Sequence, residues 1–157
     1  MDTKELIIKA QLSKNRKYEI NLTGKCMDPL LKPGDKAEIV SCGRLRTGKL
    51  YLFRMADGAL AVHRLIIKDG EELTLKGDRT KKYEIIEKSD IIGEVRRVRF
   101  KDCGVWHEMN SNPLTGYIAA MLSKQSMFDK RDTPVREFIS EICIRINIHY
   151  GNLRRKK

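Results

Sequence analysis

The chain has 157 residues and a formal net charge of +11 at pH 7, the size of one domain with a short extension. Hydrophobic residues make up 41% and charged residues 34% of it, which excludes a chain disordered throughout. No apolar run approaches the ~20 residues that span a bilayer, no signal-peptide core begins the chain, and 4 scattered cysteines do not make a disulfide scaffold. We therefore expect a cytoplasmic protein with free thiols.

Residues 18 to about 100 show short β-type segments separated by turn residues. The predicted strands are KYEINL, KAEIVSC, KLYLFRM, ALAVHRLII, EELTLKG and DIIGEVRRVRF. The turns are Pro33-Gly34-Asp35, Asp57-Gly58 and Asp69-Gly70, the last two fitting two-residue hairpin loops. This pattern predicts a mainly β domain, largely antiparallel, over residues 1–105.

After Trp106 the apolar spacing becomes helical, and residues 106–157 form the second predicted unit, a helical hairpin with a basic tail. Asn112 is a plausible N-cap before Pro113. The apolar face predicted for this helix consists of Leu114, Tyr117, Ile118, Met121 and Leu122. A second helix is predicted from Thr133 and Pro134 to near Gly151, with the stripe Val135, Phe138, Ile139, Ile142 and Ile146. We expect both stripes to pack on the β domain.

The most informative stretch runs from residue 24 to 35, GKCMDPLLKPGD, followed by the β segment KAEIV. It resembles the first catalytic box of the signal peptidase I superfamily, roughly G-x-S-M-x-P-x-L-x-x-G-D, with Cys26 at the position of the serine nucleophile. The matching positions are Gly24, Met27, Pro29, Leu31, Gly34 and Asp35.

Two later segments resemble further boxes of the same family in the same order. LAVHRLI is similar to the box of the branch that uses His-Arg where other members use a lysine base, which implies His63 as the base. LKGDRTKKYE is similar to the third box, in which Gly77 and Asp78 match and Glu84 stands near the position of an acid. Over residues 20–100 the resemblance implies a coiled, largely antiparallel β fold, with a substrate extended along a strand edge.

The side-chain chemistry agrees with these assignments. A cysteine attacks as its thiolate, and we expect the imidazole of His63 to lower the pKa of Cys26 and then to protonate the leaving amine. Glu84 would orient the imidazole, as an acid does in a Ser-His-Asp triad. The sequence thus predicts a soluble peptidase acting on a peptide or protein, such as a leader or precursor peptide, without metal or organic cofactor.

The remaining residues of the boxes have supporting roles. Gly24, Met27 and Pro29 would shape the loop around the nucleophile, and the turns would be formed by Gly34, Asp35, Gly77 and Asp78. Where many family members carry Ser-Gly before the nucleophile, this chain has Gly24-Lys25. An oxyanion hole must then depend on backbone N–H groups, including that of Cys26, and losing one donor can cost ~10²–10³ in rate.

Two other functions remain open on the sequence. The first is an inactive relative that binds a peptide or partner without turnover. The second is a nucleic-acid-binding module, for which the basic residues Arg96, Arg97, Arg99 and Lys101 are the candidates. A charged edge strand explains these four residues equally well, and no interleaved aromatic platform favours nucleic acid.

A zinc site would need Cys103 and His107 together with Cys143 and His149. Their spacing lacks the tight Cys-x-x-Cys pair, and residues six apart on a helix lie on different faces. We therefore predict no metal site. Cys42 is interpreted as a strand residue.

Overall fold

The computed structural model describes residues 3–28, 30–109 and 113–128. In chain order the elements are α1 (Thr3–Ser13), β1 (Tyr18–Asn21), β2 (Lys36–Val40), β3 (Leu50–Arg54), β4 (Leu60–Asp69), β5 (Glu72–Lys76), β6 (Tyr83–Glu87), β7 (Ile91–Arg99), β8 (Trp106–Glu108) and α2 (Pro113–Phe128). The predicted fold class, mainly antiparallel β with a helix after it, is confirmed. Pro29, Asn112 and the predicted helix from Thr133 lie outside the described residues.

The described strands form one eight-stranded antiparallel sheet in the order β1-β2-β7-β3-β4-β5-β6, and β8 pairs with β7. Bulges interrupt the pairing of β2 with β7, of β3 with β7 and of β4 with β5. A bulge bends its strand and increases the local twist. The hydrogen-bonded ladder is therefore irregular at three places.

Strand β3 is buried on both faces, because successive side chains of a strand point in opposite directions. Leu50 and Leu52 lie in one apolar cluster with α1 and the segment after β1, whereas Tyr51 and Phe53 lie in a second cluster toward β5 and β6. His63 pairs with Tyr51 across β3 and β4, so it belongs to the second side. Cys26 packs against the first cluster. The two predicted catalytic residues, Cys26 and His63, are therefore associated with different apolar clusters.

Helix α1 has no counterpart among the predicted elements. It buries Ile8 and Leu12, four residues apart on one face, against the first apolar cluster. Glu5 is also fully buried, with Nζ of Lys9 at 2.7 Å and a guanidinium nitrogen of Arg54 at 3.7 Å. The i, i+4 spacing of Ile8 and Leu12 is the sequence signal that indicates this helix.

The two predicted two-residue hairpin loops differ from the structure. Between β3 and β4 five residues lie outside the strands, because Met55 N–H donates to the Ala59 carbonyl and Gly58 takes a φ of 84° in a longer turn. Between β4 and β5 the loop has two residues, but they are Gly70 and Glu71, one position later than predicted. The length of a hairpin loop depends on the register in which its two strands pair, and an Asp-Gly pair alone does not determine that register.

Helix α2 packs with a face other than the predicted one. Tyr117 and Met121 are each 56% exposed and Ile118 is also exposed, whereas the buried positions between 116 and 124 are Gly116, Ala120 and Ser123. The expectation that the larger apolar side chains face the β domain is therefore wrong for these residues. The helix contacts β4 and its neighbours through small side chains, which permit a close approach.

Strand β7 is an inner strand, since β2, β3 and β8 all pair with it, so the alternative that its basic residues guard a sheet edge does not apply. Arg97 donates to both carboxylate oxygens of Glu38 on β2, and Arg96 lies 3.8 Å from Glu108 on β8. The guanidinium groups of Arg97 and Arg99 both lie over the Trp106 ring, at 5.5 and 5.3 Å from its centroid. The positive charges of Arg96 and Arg97 therefore have carboxylates of neighbouring strands close to them.

Candidate functional site

Cys26 lies in a turn after β1 that packs directly on the turn after β5. The Arg79 N–H donates to the Cys26 carbonyl at 2.9 Å. A Cβ added to Gly77 would lie 2.5 Å from the Cys26 carbonyl oxygen and 2.9 Å from its Cβ. Only glycine permits this approach, so the predicted turn residue Gly77 fixes the backbone that carries the thiol.

His63 and Glu84 meet across the sheet. Nδ1 of His63 lies 2.8 Å from Oε2 of Glu84, and His63 is 5% exposed. Leu65 pairs with Leu75, and Leu75 pairs with Glu84, which puts Glu84 on the same face as His63. His63 and Glu84 were both candidate site residues on the sequence, but strand β6, which carries Glu84, was not predicted.

The His63 ring is held on a second side by Phe53, whose ring centroid is 5.4 Å away. The imidazole is therefore enclosed by an aromatic ring and a carboxylate. A carboxylate on one ring nitrogen favours the tautomer with its proton at Nδ1, which leaves Nε2 to accept a proton.

The carboxylate of Asp78 binds Arg64, the residue that follows His63 in the chain. Nε and a terminal nitrogen of Arg64 donate to the two carboxylate oxygens at 2.9 and 2.7 Å, and the third nitrogen donates to the Gly48 carbonyl at 2.6 Å. Both side chains are largely buried. This bidentate pair joins the turn after β5 to β4, in keeping with the structural role predicted for Asp78.

The other predicted turn residues anchor the loop that follows Cys26. Asp35 accepts from the backbone N–H of Lys32 at 2.8 Å and of Lys101 at 2.9 Å. Gly34, with a φ of 96°, donates its N–H to the Leu22 carbonyl. The loop is thus tied to the end of β1 and to the segment after β7, and Met27 is buried in the first core beneath it.

The pKa values of the two central groups shift in opposite directions. Burial raises the pKa of Cys26; backbone N–H groups of Cys26 and Met27 lower it in part, and the negative charges of Glu84 and Asp78 raise it further. Burial lowers the pKa of His63, although Glu84 opposes this. Among the described residues no hydrogen bond joins Sγ of Cys26 to His63. The net shift of the Cys26 pKa is therefore upward, opposite to the lowering expected from the imidazole.

A cleft of about 270 Å³ opens beside Cys26. Its walls are the stretch 20–24 from β1 onward, the stretch 60–62 of β4, and Lys4, Met27, Leu31 and Leu52. Strand β1 ends the sheet, and the pairing of β4 with β5 stops at Arg64 and Lys76, so in the described part of the chain each wall has a strand edge without a β partner. No sequence pattern indicated this cleft, because it depends on how the sheet bends.

The other described cysteines are Cys42 and Cys103. Cys42 follows β2 and is not a strand residue, contrary to its interpretation; burial raises its pKa to about 12. Cys103 is exposed, with its Sγ 3.4 Å from Nε2 of His107. The described residues contain no group of three metal-ligating side chains. Cys143 and His149 lie outside them.

None of the helices described is both long and apolar enough to cross a membrane. In comparisons with known proteins, no protein-family model matches the chain and no curated protein matches it.

Proposed function

We propose that this chain is a peptidase in which Cys26 is the nucleophile, His63 the general base and acid, and Glu84 the group that orients the imidazole. The observation that carries the proposal is the buried contact of 2.8 Å between Nδ1 of His63 and Oε2 of Glu84. Glu84 and Asp78 also act on the pKa of both Cys26 and His63, so the thiol and the imidazole share one electrostatic environment. The resemblance of three segments to signal peptidase I boxes names the same residues.

The cleft supports a peptide as the substrate class. An extended peptide can add to an unpaired strand edge through its backbone, while pockets select its side chains. Here the outer edge of β1, at residues 20 and 21, and the edge of β4 at 60–62 border a cleft lined in part by Cys26. The substrate would lie between them, with its scissile carbonyl at Cys26.

The proposed reaction starts from the neutral thiol of Cys26 and the neutral imidazole of His63. As Sγ attacks the carbonyl carbon, Nε2 of His63 takes the thiol proton, and Glu84 stabilises the imidazolium that forms. The imidazolium then protonates the leaving amine, the C–N bond breaks, and a thioester remains on Cys26. Water, deprotonated by His63, attacks the thioester and releases the acid and the free thiol.

Two further features of the site bear on this cycle. The backbone N–H groups of Cys26 and Met27 both act on the sulfur and are the candidate donors to the oxyanion. Sγ must approach Nε2 more closely when substrate binds, and such catalytic contacts commonly tighten in the complex. The free thiols of Cys26, Cys42 and Cys103 support a reducing compartment such as the cytoplasm.

The test is incubation of the protein with a diverse peptide library, followed by mass spectrometry of newly formed termini. We expect cleavage by the wild type and by Cys103→Ser, a control at an exposed cysteine. The cleavage rate should fall by at least ~10²-fold in Cys26→Ala and in His63→Ala, which is the typical contribution of a general base. Cleavage that survives Cys26→Ala would contradict the assignment.

A second candidate function is peptide binding without turnover. The raised pKa of Cys26 favours it, because a neutral thiol is a poor nucleophile. Under this alternative a library peptide would bind wild type and Cys26→Ala with equal affinity and remain intact. A thioester trapped on Cys26 by rapid acid quenching, and detected by peptide mapping, would decide for the peptidase.

A further inference from the structure

Two close contacts join helix α2 to the β domain: Gly116 lies against Gly48, just before β3, and Ser123 lies near Lys76, the last residue of β5. This helix belongs to the part of the chain outside the signal peptidase resemblance. Of the side chains described between 116 and 124, Tyr117, Ile118 and Met121 are exposed, whereas the buried positions are the small or polar Gly116, Ala120 and Ser123. The two contacts are therefore specific in geometry and not a broad apolar interface.

The first contact joins two glycines. A Cβ added to Gly48 would lie 2.3 Å from the Gly116 carbonyl oxygen, so the backbones touch directly. The Gly48 carbonyl also accepts a hydrogen bond of 2.6 Å from Arg64, and Arg64 holds Asp78 through its two other donors. Displacement of α2 would therefore disturb a carbonyl that helps to position the Arg64–Asp78 pair.

The second contact is polar. Lys76 is fully buried, and its Nζ lies 3.4 Å from Oγ of Ser123 and donates to the Gly77 carbonyl at 3.0 Å. Gly77 is the residue on which the backbone of Cys26 packs. Through Lys76, Ser123 thus acts on the peptide unit beneath the thiol.

Both contacts lead to the Gly77–Asp78 segment, one through Arg64 and the other through Lys76. We infer that α2 is a positioning element for Cys26, which it fixes through Gly116 on Gly48 and through Ser123 on Lys76. Neither helix residue touches the thiol, so their role is to hold the turn and not to take part in chemistry. An effect of α2 on catalytic turnover rests on the proposed peptidase function. The positioning of the Cys26 thiol by α2 can be tested without a substrate.

The experiment measures alkylation of Cys26 by iodoacetamide as a function of pH, with peptide mapping, in a Cys103→Ser background. The variants are Gly48→Ala, whose added methyl cannot coexist with the present position of Gly116, and Ser123→Ala, which removes only a hydroxyl. Met121→Ala, on the exposed side of the same helix, is the matched control.

Loosening the turn should let water reach the sulfur and move its pKa down toward ~8.5. A fall of half a unit to one unit raises the rate at pH 7.5 about three- to tenfold, because the thiolate fraction grows tenfold per unit. We expect this in Gly48→Ala or Ser123→Ala and not in Met121→Ala.

If neither variant changes the rate, or if the control changes as much, the inference is overturned. A lower rate would also overturn it. Should Gly48→Ala fail to fold, because its φ of 92° strains any side chain, Ser123→Ala decides alone. A wild type that cleaves no peptide while these shifts occur would refute the proposed function and leave the inference standing.

Discussion

The contact between Glu84 and His63 permits a direct test of the electrostatics of the site. Oε2 lies 2.8 Å from Nδ1, and the side chains of His63 and Glu84 are 6% and 21% exposed. Burial lowers the pKa of His63, and the carboxylate works against this. Glu84→Gln retains the shape and an accepting oxygen but removes the charge.

The expected size follows from the geometry. A hydrogen bond to a charged group contributes about 1.5–3 kcal/mol, and one pKa unit corresponds to about 1.4 kcal/mol. Glu84→Gln should therefore lower the pKa of His63 by a further one to two units. Because the charge of Glu84 also raises the pKa of Cys26, that pKa should fall as well.

The assay is a pH titration of the imidazole carbon-bound protons by NMR, for which the chain has 3 histidines to assign. His107, whose ring lies against Phe100 on another part of the sheet, is the internal control. An unchanged or higher pKa of His63 in Glu84→Gln would refute the pairing on which the proposed mechanism depends. A shift of His107 of equal size would show that the substitution acts on the whole protein.

Three further predictions concern stability. Asp78→Ala should cost about 3–5 kcal/mol in urea denaturation, because it leaves the buried guanidinium of Arg64 without its carboxylate; a loss below about 1 kcal/mol would contradict this. Gly77→Ala should cost about 1–3 kcal/mol, since the new methyl overlaps the Cys26 carbonyl, and calorimetry at constant pH would measure it. Burial alone would raise the pKa of Glu38, but its cationic partners outweigh burial and the pKa is lowered. The stability this gives is present above the unfolded value near ~4.3 and lost as pH falls through the folded pKa, so Glu38→Gln should lose less stability than wild type between neutral pH and pH 3.

Local features allowed much of the sheet to be predicted. Six of the strands lie within or overlap predicted segments, since alternating apolar residues and turn residues are short-range signals. The candidate residues Cys26, His63 and Glu84 came from the family resemblance. The structure brings His63 to Glu84 and sets Cys26 against Gly77, but it does not join Cys26 to His63 by a hydrogen bond.

The features that could not be predicted depend on the final packing. Which face of α2 is buried was decided by the close approach of Gly116 to Gly48, 68 positions earlier in the numbering, and not by the apolar stripe. The partner of Asp78 was set by Arg64 across the β4–β5 pair. The sign of the pKa shift at Cys26 followed from burial, which the spacing of cysteine and histidine does not report.

The opposed pKa shifts at Cys26 and His63 have a consequence for how such a site would work. A preformed thiolate–imidazolium pair would need two charges in a partly buried place, whereas the neutral pair avoids that desolvation cost. Proton transfer would then accompany attack on the substrate instead of preceding it. The thiol would react slowly with small alkylating agents near neutral pH, yet attack a peptide whose backbone fills the cleft and brings the carbonyl to Sγ. Low reactivity of Cys26 toward iodoacetamide is therefore compatible with peptidase activity, and the thioester, not the alkylation rate alone, separates the peptidase from a peptide-binding protein.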